Sequence, residues 1–437
     1  MLFLLNKFFK LEENHTNVKT EFLAGLTTFI TMAYTMILNP QILKATGMDE
    51  SSTMVACILV SVIGTLVMAF FAKLPLAVAP GLGLDAFFAY TICGIMGYSW
   101  QEALTVVFFE GVIFILMTLC NIREAFLDAI PENMKKAMPI GIGLFITLIG
   151  LYNCGLVVNA SPIRMTDKFT NANLLSLFGI LLIGTLLHYK VKGGILVGIL
   201  VTTLVGIPLG VTVVPEHFVP VSMPKSMSAT FLKLDFSWLD SFEDVRNFLF
   251  LLFTLLLVNI FDTLGILVGV VRKTNLLDEN GKIPHVKAAF LADAVGTTCA
   301  GLFGTSVVTA YVESAAGVSE GGRTGLTALV TACFFFLCLF IAPVFLLVPM
   351  AAVAPAMVII GLFMVADIAA VNFKEYDEAI PAFLTIVMMP FSYSIADGVI
   401  LGVLSYVLLK MCANKFKEIP IVTYIMAIFF TLKLFYN

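Results

Sequence analysis

Charge is scarce in this 437-residue chain. Only 12% of the residues are Asp, Glu, Lys or Arg, whereas 60% are hydrophobic. A soluble domain carries about 25% charged residues, so the composition excludes an ordinary soluble protein and indicates an integral membrane protein. The chain has four histidines, and none of its eight cysteines forms a Cys-x-x-Cys pair. This pattern favours neither a metal site nor a disulfide framework, and we expect no cofactor.

Long polar segments are also absent, the longest running from Pro215 to Arg246. At roughly 20 residues per membrane span, the sequence predicts an all-α polytopic protein. A further apolar stretch, 421–435, is interpreted as an interfacial helix, with a fifteenth span as the alternative. Fourteen spans are predicted at 21–39, 53–72, 78–96, 101–121, 137–152, 171–188, 193–212, 246–271, 286–303, 306–318, 324–346, 350–368, 378–394 and 396–411.

The positive charges predict the orientation of these spans. With the amino terminus inside, 19 of the 25 Lys and Arg residues fall on the cytoplasmic side. This bias follows the positive-inside rule and predicts a protein of the cytoplasmic membrane with both termini in the cytoplasm. The other six Lys and Arg residues, which fall on the outer side, are Lys44, Arg164, Lys168, Lys225, Lys233 and Arg246.

The number of spans also predicts an internal symmetry. Fourteen spans divide into seven and seven, and an odd number per half requires inverted repeats.

Two apolar segments are interrupted at corresponding places in the two halves. Span three contains the stretch 79–88, APGLGLDAFF, and span ten contains 304–317, GTSVVTAYVESAAG. Each combines helix breakers with one carboxylic acid, which is costly at membrane depth unless the acid lines a cavity. Matched interruptions of this kind indicate the central site of a secondary transporter.

In span ten, the β-branched run 306–312 predicts a short strand that leads into a half-helix. Ser306 and Thr309 lie on this strand, and Glu313 lies where the helix begins. Free N–H groups of the half-helix would point at the membrane midplane, and the Glu313 carboxylate could accept two N–H bonds from a planar ligand. The alternative is a structural carboxylate that pairs with a neighbouring hydroxyl.

In span three, Asp85 follows the break at 80–83 and is predicted to be a site residue. Phe87 follows it and could stack on a flat ligand, although lipid contact or core packing also explains an aromatic residue there. Thr28 of span one either faces the bundle or bonds back to its own helix. Glu21, at the start of that span, is expected to be interfacial.

Span eight contains a polar group within the run 258–265, VNIFDTLG. Asn259 and Asp262 are three residues apart and share a helix face, with Phe261 beside Asp262. An isolated ionised carboxylate is untenable in hydrocarbon. Asp262 is therefore either a proton-carrying group or a structural hydrogen-bonding centre.

At these residues the chain resembles the azaguanine-type (AzgA-like) purine permeases of the nucleobase–cation symporter-2 group. The similarity extends nearly from end to end of the chain. The matching stretches are 20–34 (TEFLAGLTTFITMAY) with Asn39-Pro40, 79–84 (APGLGL), 261–265 (FDTLG), 304–306 (GTS), 313–317 (ESAAG) and 320–327 (EGGRTGLT).

The resemblance implies proton-coupled uptake of adenine, guanine or hypoxanthine, by a protein that is often a homodimer with a core that moves like an elevator. It implies a core domain at 20–121 and 246–346 and a gate domain at 122–245 and 347–437. It also implies that the base binds between the short strands of spans three and ten. Glu313 matches the family's span-ten glutamate, and Asp262 matches the second acid of its span-eight Asp-x-x-Asp pattern.

Two positions depart from the family pattern. The family usually has Asn where this chain has Asp85, and Asp where it has Asn259. Our hypothesis is an exchange in which one carboxylate leaves span eight, another enters span three, and the two positions face each other across the cavity.

Together with this resemblance, the expectation is a proton symporter of purine nucleobases in the lipid bilayer, with no nucleic-acid partner. Glu313 would bind the base, and Asp85 or Asp262 would couple the proton. The rival within transport is an anion or sulfate carrier on the same architecture. The carboxylate in span ten argues against it, and no triad, metal set or repeated pore-lining acid favours an enzyme or a channel.

Overall fold

The protein is a bundle of long helices with short strands near its centre. The computed structural model describes residues 2–120, 131–158, 163–274 and 285–436, and the side chains of 2–5, 261–262, 264–274 and 436 lie outside that description. Each of the fourteen predicted apolar segments contains a helix. The helices are α1 (Leu2–Phe9), α2 (Val18–Met32), α3 (Thr35–Lys44), α4 (Glu50–Val67), α5 (Leu82–Ala86), α6 (Trp100–Leu119), α7 (Glu132–Asn153), α8 (Asn171–His188), α9 (Gly194–Gly206), α10 (Phe242–Thr274), α11 (Val286–Phe303), α12 (Ser314–Ser319), α13 (Gly325–Phe345), α14 (Met350–Val365), α15 (Tyr376–Phe391), α16 (Ile395–Cys412) and α17 (Ile421–Tyr436).

Polar residues mark where several helices begin. Before α2, the side chain of Asn17 accepts a backbone N–H of the first turn at 3.0 Å. Asp49 does the same before α4 at 2.8 Å, and Ser99 forms a reciprocal capping box with Glu102 before α6. These side chains satisfy N–H groups that the first turn of a helix leaves unpaired. The apolar run alone therefore does not set the helix start; the preceding polar residue does.

Several predicted spans are interrupted. Span one divides at Ala33 and Tyr34 into α2 and α3, and span two ends in a π-helix, Met68–Ala72. Span three consists of strand β1 (Val78–Pro80), α5 and a π-helix over Phe87–Ile95. Strand β1 and α5 are buried along their whole length, where irregular backbone is tolerated in a membrane protein.

As predicted, short strands occur in both interrupted segments. Strand β4 (Val308–Ala310) pairs with β1 in antiparallel register, with Ala79 opposite Thr309. A second, peripheral pair joins β2 (Val157–Val158) and β3 (Arg164–Met165). Beyond the central pair, α5 and α12 run away from the two strand ends. Because the register is antiparallel, β1 leads into α5 at one end of the pair and β4 leads towards α12 at the opposite end.

In both halves, a threonine hydroxyl on a long helix forms two hydrogen bonds to the backbone of the central strand. The hydroxyl of Thr65 on α4 bonds to the N–H and the carbonyl of Val78, both at 3.1 Å. The hydroxyl of Thr297 on α11 bonds to the N–H of Val308 at 3.1 Å and to its carbonyl at 3.3 Å. A glycine precedes each threonine and leaves room for the valine side chain, since a Cβ at Gly64 or Gly296 would lie 2.5 or 2.8 Å from it. The two halves therefore share a local structure.

The helices form two groups by packing. In the first group, α13 packs on α2 and α4, and α11 packs on α4 and α6. In the second group, α14 packs on α7, α8 and α9, and α15 packs on α7 and α16. The central strand pair belongs to the first group through α4 and α11.

The outside of the bundle is apolar. Among the described residues, nine helices are long and apolar enough to cross a membrane. On α17, Ile421, Ile425 and Ile428 lie along one face and are 77%, 60% and 62% exposed. Such a surface suits lipid rather than water, which agrees with an integral membrane protein.

Candidate functional site

Glu313 lies between strand β4 and helix α12, in helical backbone geometry. Its side chain is half-buried, and its Oε1 accepts a hydrogen bond from the hydroxyl of Tyr34. Thr31 donates to the backbone carbonyl of Glu313 at 3.4 Å. The carboxylate therefore has a fixed partner on one oxygen, and the residue as a whole is only half-buried. This pairing with a neighbouring hydroxyl was the structural alternative for Glu313, and it leaves the second carboxylate oxygen free of Tyr34.

Tyr34 was not singled out as a site residue from the sequence. It is fully buried, and it lies in the turn that separates α2 from α3. The apolar run of span one concealed this turn, so a contact between Tyr34 and span ten could not be predicted from the sequence. Its position at the end of a threonine-rich segment was the available signal.

Asp85 lies in the first turn of α5 and is fully buried. The hydroxyl of Ser306, which is also fully buried, lies near the Asp85 carboxylate. The two groups do not meet the geometry of a hydrogen bond. Within the described part of the chain, neither Asp85 oxygen has a hydrogen-bond partner. Close by, the thiol of Cys57 lies 3.0 Å from the hydroxyl of Thr305. Burial of a carboxylate without a partner is costly, which marks this position as one where a proton or a ligand donor would be stabilising.

Asn259 lies in a separate polar cluster. Its Nδ2 donates to Oε1 of Glu110 at 2.8 Å, and its Oδ1 accepts from the hydroxyl of Thr263 at 3.2 Å. The Thr263 hydroxyl lies 3.2 Å from that of Thr309 on β4. Glu110 on α6 is fully buried and was missed in the sequence. The rule that selected Asp85, an ionisable residue inside an apolar span, applies equally to Glu110.

The other candidate residues lie around these three clusters. Thr28 packs against Gly317 of α12, where a Cβ would collide with its hydroxyl. Thr31 donates to the carbonyls of Thr27 and Thr28 at 3.0 and 2.9 Å, so it bonds back to its own helix. Phe87 is fully buried within the central apolar core. The side chains of Phe261 and Asp262 lie outside the described residues.

The structure brings Glu313, Ser306 and Thr309 together along one strand-bearing segment, with Asp85 facing that segment from span three. It records no contact between Asp85 and Asn259 among the described side chains. Asn259 instead bonds to Glu110. The exchange hypothesis placed Asp85 and Asn259 opposite each other, and the described contacts give Asn259 a different acidic partner.

Glu21, expected at the membrane interface, makes structural contacts inside the protein. Glu21 is fully buried and accepts the backbone N–H groups of Arg323 at 2.9 Å and Thr327 at 3.1 Å. It also accepts the Thr327 hydroxyl at 2.6 Å. A carboxylate is stabilised at the positive end of a helix, so Glu21 caps α13 and fastens α2 to it.

The site is rich in hydrogen-bond acceptors. Among the described residues, no three His, Cys, Asp or Glu side chains converge as metal ligands. The carboxylates of Glu313 and Asp85 are acceptors when ionised. Such a site suits a neutral ligand that offers N–H donors.

The chain was compared with known proteins. Residues 19–401 match the family model described as the Permease family. A Methanocaldococcus jannaschii protein named only as a permease is 43% identical over 434 residues, which cover 99% of this chain and 98% of that protein. The adenine permease AdeQ of Escherichia coli is 39% identical and covers 98% of this chain and 96% of its own length. The guanine/hypoxanthine permease PbuO of Bacillus subtilis is 38% identical and covers 98% and 99%.

Solved structures share the fold at low sequence identity. The transmembrane domain of a cyanobacterial bicarbonate transporter, BicA, aligns with a TM-score of 0.65 and 17% identity over 87% of this chain and 97% of that one. Murine Slc26a9, an anion transporter in the inward-facing state, aligns with a TM-score of 0.64 and 11% identity over 90% and 68%. At these identities the similarity describes the fold alone.

Proposed function

Since the chain belongs to the Permease family, we propose that it imports purine nucleobases across the cytoplasmic membrane as a secondary active transporter. The family match and the relatives confirm the resemblance seen in the motifs. They also confirm that the protein is a membrane-embedded transporter and not an enzyme. The relatives act on adenine or on guanine and hypoxanthine, which supports a purine as the cargo.

The half-buried carboxylate of Glu313 carries the proposal for the site. Purines are planar, neutral at pH 7 and bear ring and exocyclic N–H donors. Glu313 binds these donors with the carboxylate oxygen that Tyr34 leaves free. The remaining residues proposed to hold the base are Asp85, Asn259, Asp262, Phe261, Phe87, Thr28, Thr309 and Ser306.

Proton symport supplies the driving force in this proposal. Accumulation of a neutral cargo requires a coupled ion, and a carboxylic acid can bind a proton on one side and release it on the other. Asp85, Asp262 and Glu313 are the proposed coupling acids. Asp85 fits this role because it is fully buried and, among the described residues, has no hydrogen-bond partner.

The proposed architecture has fourteen spans in two inverted repeats. The matched threonine caps at Val78 and Val308 support the repeat. The two packing groups of helices support a core (20–121 and 246–346) and a gate (122–245 and 347–437). Elevator movement of the core, a homodimer and cytoplasmic termini complete the proposal.

Two sets of contacts support the proposed sidedness. On the outer side, Ser222 bonds to Phe340 and Leu232 bonds to Leu302 through backbone groups at 2.9 and 2.7 Å. On the inner side, Lys192 and Glu320 form an ion pair at 2.7 Å. Each of these contacts joins segments that the charge bias assigns to the same side of the membrane.

Uptake by cells that lack their own purine carriers tests the proposal. Labelled adenine, guanine and hypoxanthine are offered in turn, with unlabelled xanthine, uracil, sulfate and bicarbonate as competitors. We expect at least one purine to accumulate and the anions not to compete. Competition by sulfate or bicarbonate without purine uptake would contradict the proposal and favour the anion carrier.

Proteoliposomes test the coupling separately. An inward purine gradient should make the outside medium more alkaline, because protons enter with the base. Purine uptake that ignores both the pH gradient and a protonophore would contradict proton symport while leaving purine transport intact.

A further inference from the structure

A line of four buried polar side chains joins an acid on α6 to the central strand pair. Glu110 accepts from Asn259 at 2.8 Å, Asn259 accepts from Thr263 at 3.2 Å, and Thr263 meets Thr309 at 3.2 Å. All four residues are at most 1% exposed. Thr309 pairs with Ala79 across the two strands. The acid is therefore connected to the centre of the proposed site by side-chain hydrogen bonds alone.

We propose that Glu110 is a positioning acid whose protonation reverses this hydrogen-bond chain and thereby couples the proton to the purine site. The inference rests on the proposed function and deepens it. It adds to the coupling acids a residue that the motifs did not single out. Glu110 acts on the site through Asn259 and does not touch the base.

The present direction of the chain follows from counting protons. Thr263 has one hydroxyl proton and donates it to Asn259. The contact between Thr263 and Thr309 must then be donated by Thr309. Each donor in the chain points towards Glu110, which accepts as a carboxylate. The Thr309 hydroxyl consequently offers only lone pairs to its other neighbours.

A proton on Glu110 permits the opposite direction. The carboxylic O–H donates to Oδ1 of Asn259 after the amide has turned over, and Nδ2 then donates to the Thr263 hydroxyl. Thr263 donates to Thr309, whose own proton is released towards the carbonyl of Ala310, 3.4 Å away. Only Glu110 gains a proton, and every other group rotates without changing its protonation state. When the acid is neutralised, the Thr309 hydroxyl thus changes from donor to acceptor in its contact with Thr263, and its own proton becomes available to its other neighbours.

Other ionisable groups lie on the elements that pack against α6, including Cys299 on α11 and Tyr90 and Cys93 on the π-helix. Helix α6 packs against α11, α10 and the π-helix Phe87–Ile95. Asp293 is the buried acid on α11, and Asp262 lies on α10 with its side chain outside the described residues. Among the described contacts, no hydrogen-bond chain of this kind joins Asp85 to β4.

The test compares two fluxes in proteoliposomes that contain the full-length protein. Counterflow of labelled purine against unlabelled purine reports exchange, and the pH of the outside medium reports coupled proton entry. Glu110→Gln removes the titration, and Thr263→Val removes the hydroxyl link with little change of shape. We expect each to lower the ratio of proton flux to exchange by about tenfold, within the range usual for linked sites. The double variant should be no lower than either single variant.

Thr118→Val is the matched control, because Thr118 lies buried on α6 and bonds only back to Phe114 at 2.7 Å among the described contacts. It should keep the wild-type ratio. A wild-type ratio in Glu110→Gln or in Thr263→Val would overturn the inference even if purine exchange is normal. The inference would also be overturned if the wild-type protein exchanged purine without any proton flux. Absence of purine exchange in the wild type would instead overturn the proposed function, and the inference with it.

Discussion

The two strand-bearing segments, 78–95 and 308–319, are alike at their strands and different at their acids. Thr65 holds β1 and Thr297 holds β4 through the same pair of backbone bonds. Beyond the strands the likeness ends. Asp85 lies inside α5 and is enclosed, whereas Glu313 precedes α12, is half-buried and bonds to Tyr34. Similar strand structures thus precede a fully buried acid, Asp85, and a half-buried acid, Glu313.

The difference suggests a division of labour. A carboxylate on a half-buried residue can meet a ligand directly, whereas an enclosed carboxylate without a described partner responds most strongly to a proton. We infer that Glu313 serves binding and that Asp85 serves coupling. The predictions below compare the two segments, beginning with the largest expected effect.

Glu313→Gln should weaken purine binding most. It replaces a charged acceptor with a neutral amide, which costs about 1.5–3 kcal/mol, or about 10- to 150-fold in affinity. Binding of labelled purine to purified protein measures the change. Glu320→Gln is the control, because Glu320 lies just beyond the same helix and pairs with Lys192 at the exposed inner edge. Equal loss in both variants would contradict a special role for Glu313.

Exchange of the departing residues tests the enclosed acid. Asp85→Asn removes the carboxylate from span three, and Asn259→Asp places a second carboxylate beside Glu110, within the present 2.8 Å contact. Two carboxylates this close cannot both stay ionised, so we expect Asn259→Asp to be the worse single variant. The exchange hypothesis predicts that the double variant restores uptake above either single variant, whereas the contact of Asn259 with Glu110 predicts no rescue. Uptake no better than that of the worse single variant would reject the exchange hypothesis.

Tyr34→Phe should have a moderate effect on the second segment. It removes the hydroxyl that fixes one oxygen of Glu313. The loss of one such bond is worth about 1 kcal/mol, or about fivefold in affinity. Combined with Glu313→Gln, it should add less than its single effect, because the Tyr34 hydroxyl bonds more weakly to a neutral amide oxygen than to a carboxylate. Full additivity in a double-mutant cycle would show that Tyr34 acts elsewhere.

Thr65→Val and Thr297→Val should have the smallest effect on transport and an equal effect on stability. Each leaves a buried strand N–H without its partner, at a cost of about 1–3 kcal/mol. Thermal unfolding in detergent should show matched decreases in Tm, and Thr→Ser at either position should recover most of the loss. A large difference between the two valine variants would contradict the structural equivalence of the segments.

Sequence reasoning could predict the membrane class, the helical segments and the strand of span ten, because each leaves a local mark, whereas the strand of span three was implied only by the family resemblance. Apolar length identifies the spans, and Pro80 with Gly81 breaks the helix where β1 ends. It could not predict which distant side chains meet. The bond from Tyr34 to Glu313 depends on a turn at residues 33–34 that the apolar run of span one conceals. The capping of α13 by Glu21 depends on how α2 packs against α13, and the position of Glu21 near the start of a span does not reveal that packing.

Glu110 teaches a narrower lesson. Its sequence context, a single acid within an apolar helix, was as informative as that of Asp85. Glycine and proline interruptions drew attention to spans three and ten, and an acid in an unbroken helix was passed over. The hydrogen bond to Asn259 gives this acid its significance.

The most direct measurement is an experimental structure of the protein with a purine bound. The account predicts density for a flat base beside the paired strands β1 and β4, with an N–H group of the base within about 3 Å of a Glu313 carboxylate oxygen. A base bound away from the strand pair, or a Glu313 side chain that points away from the base, would contradict it.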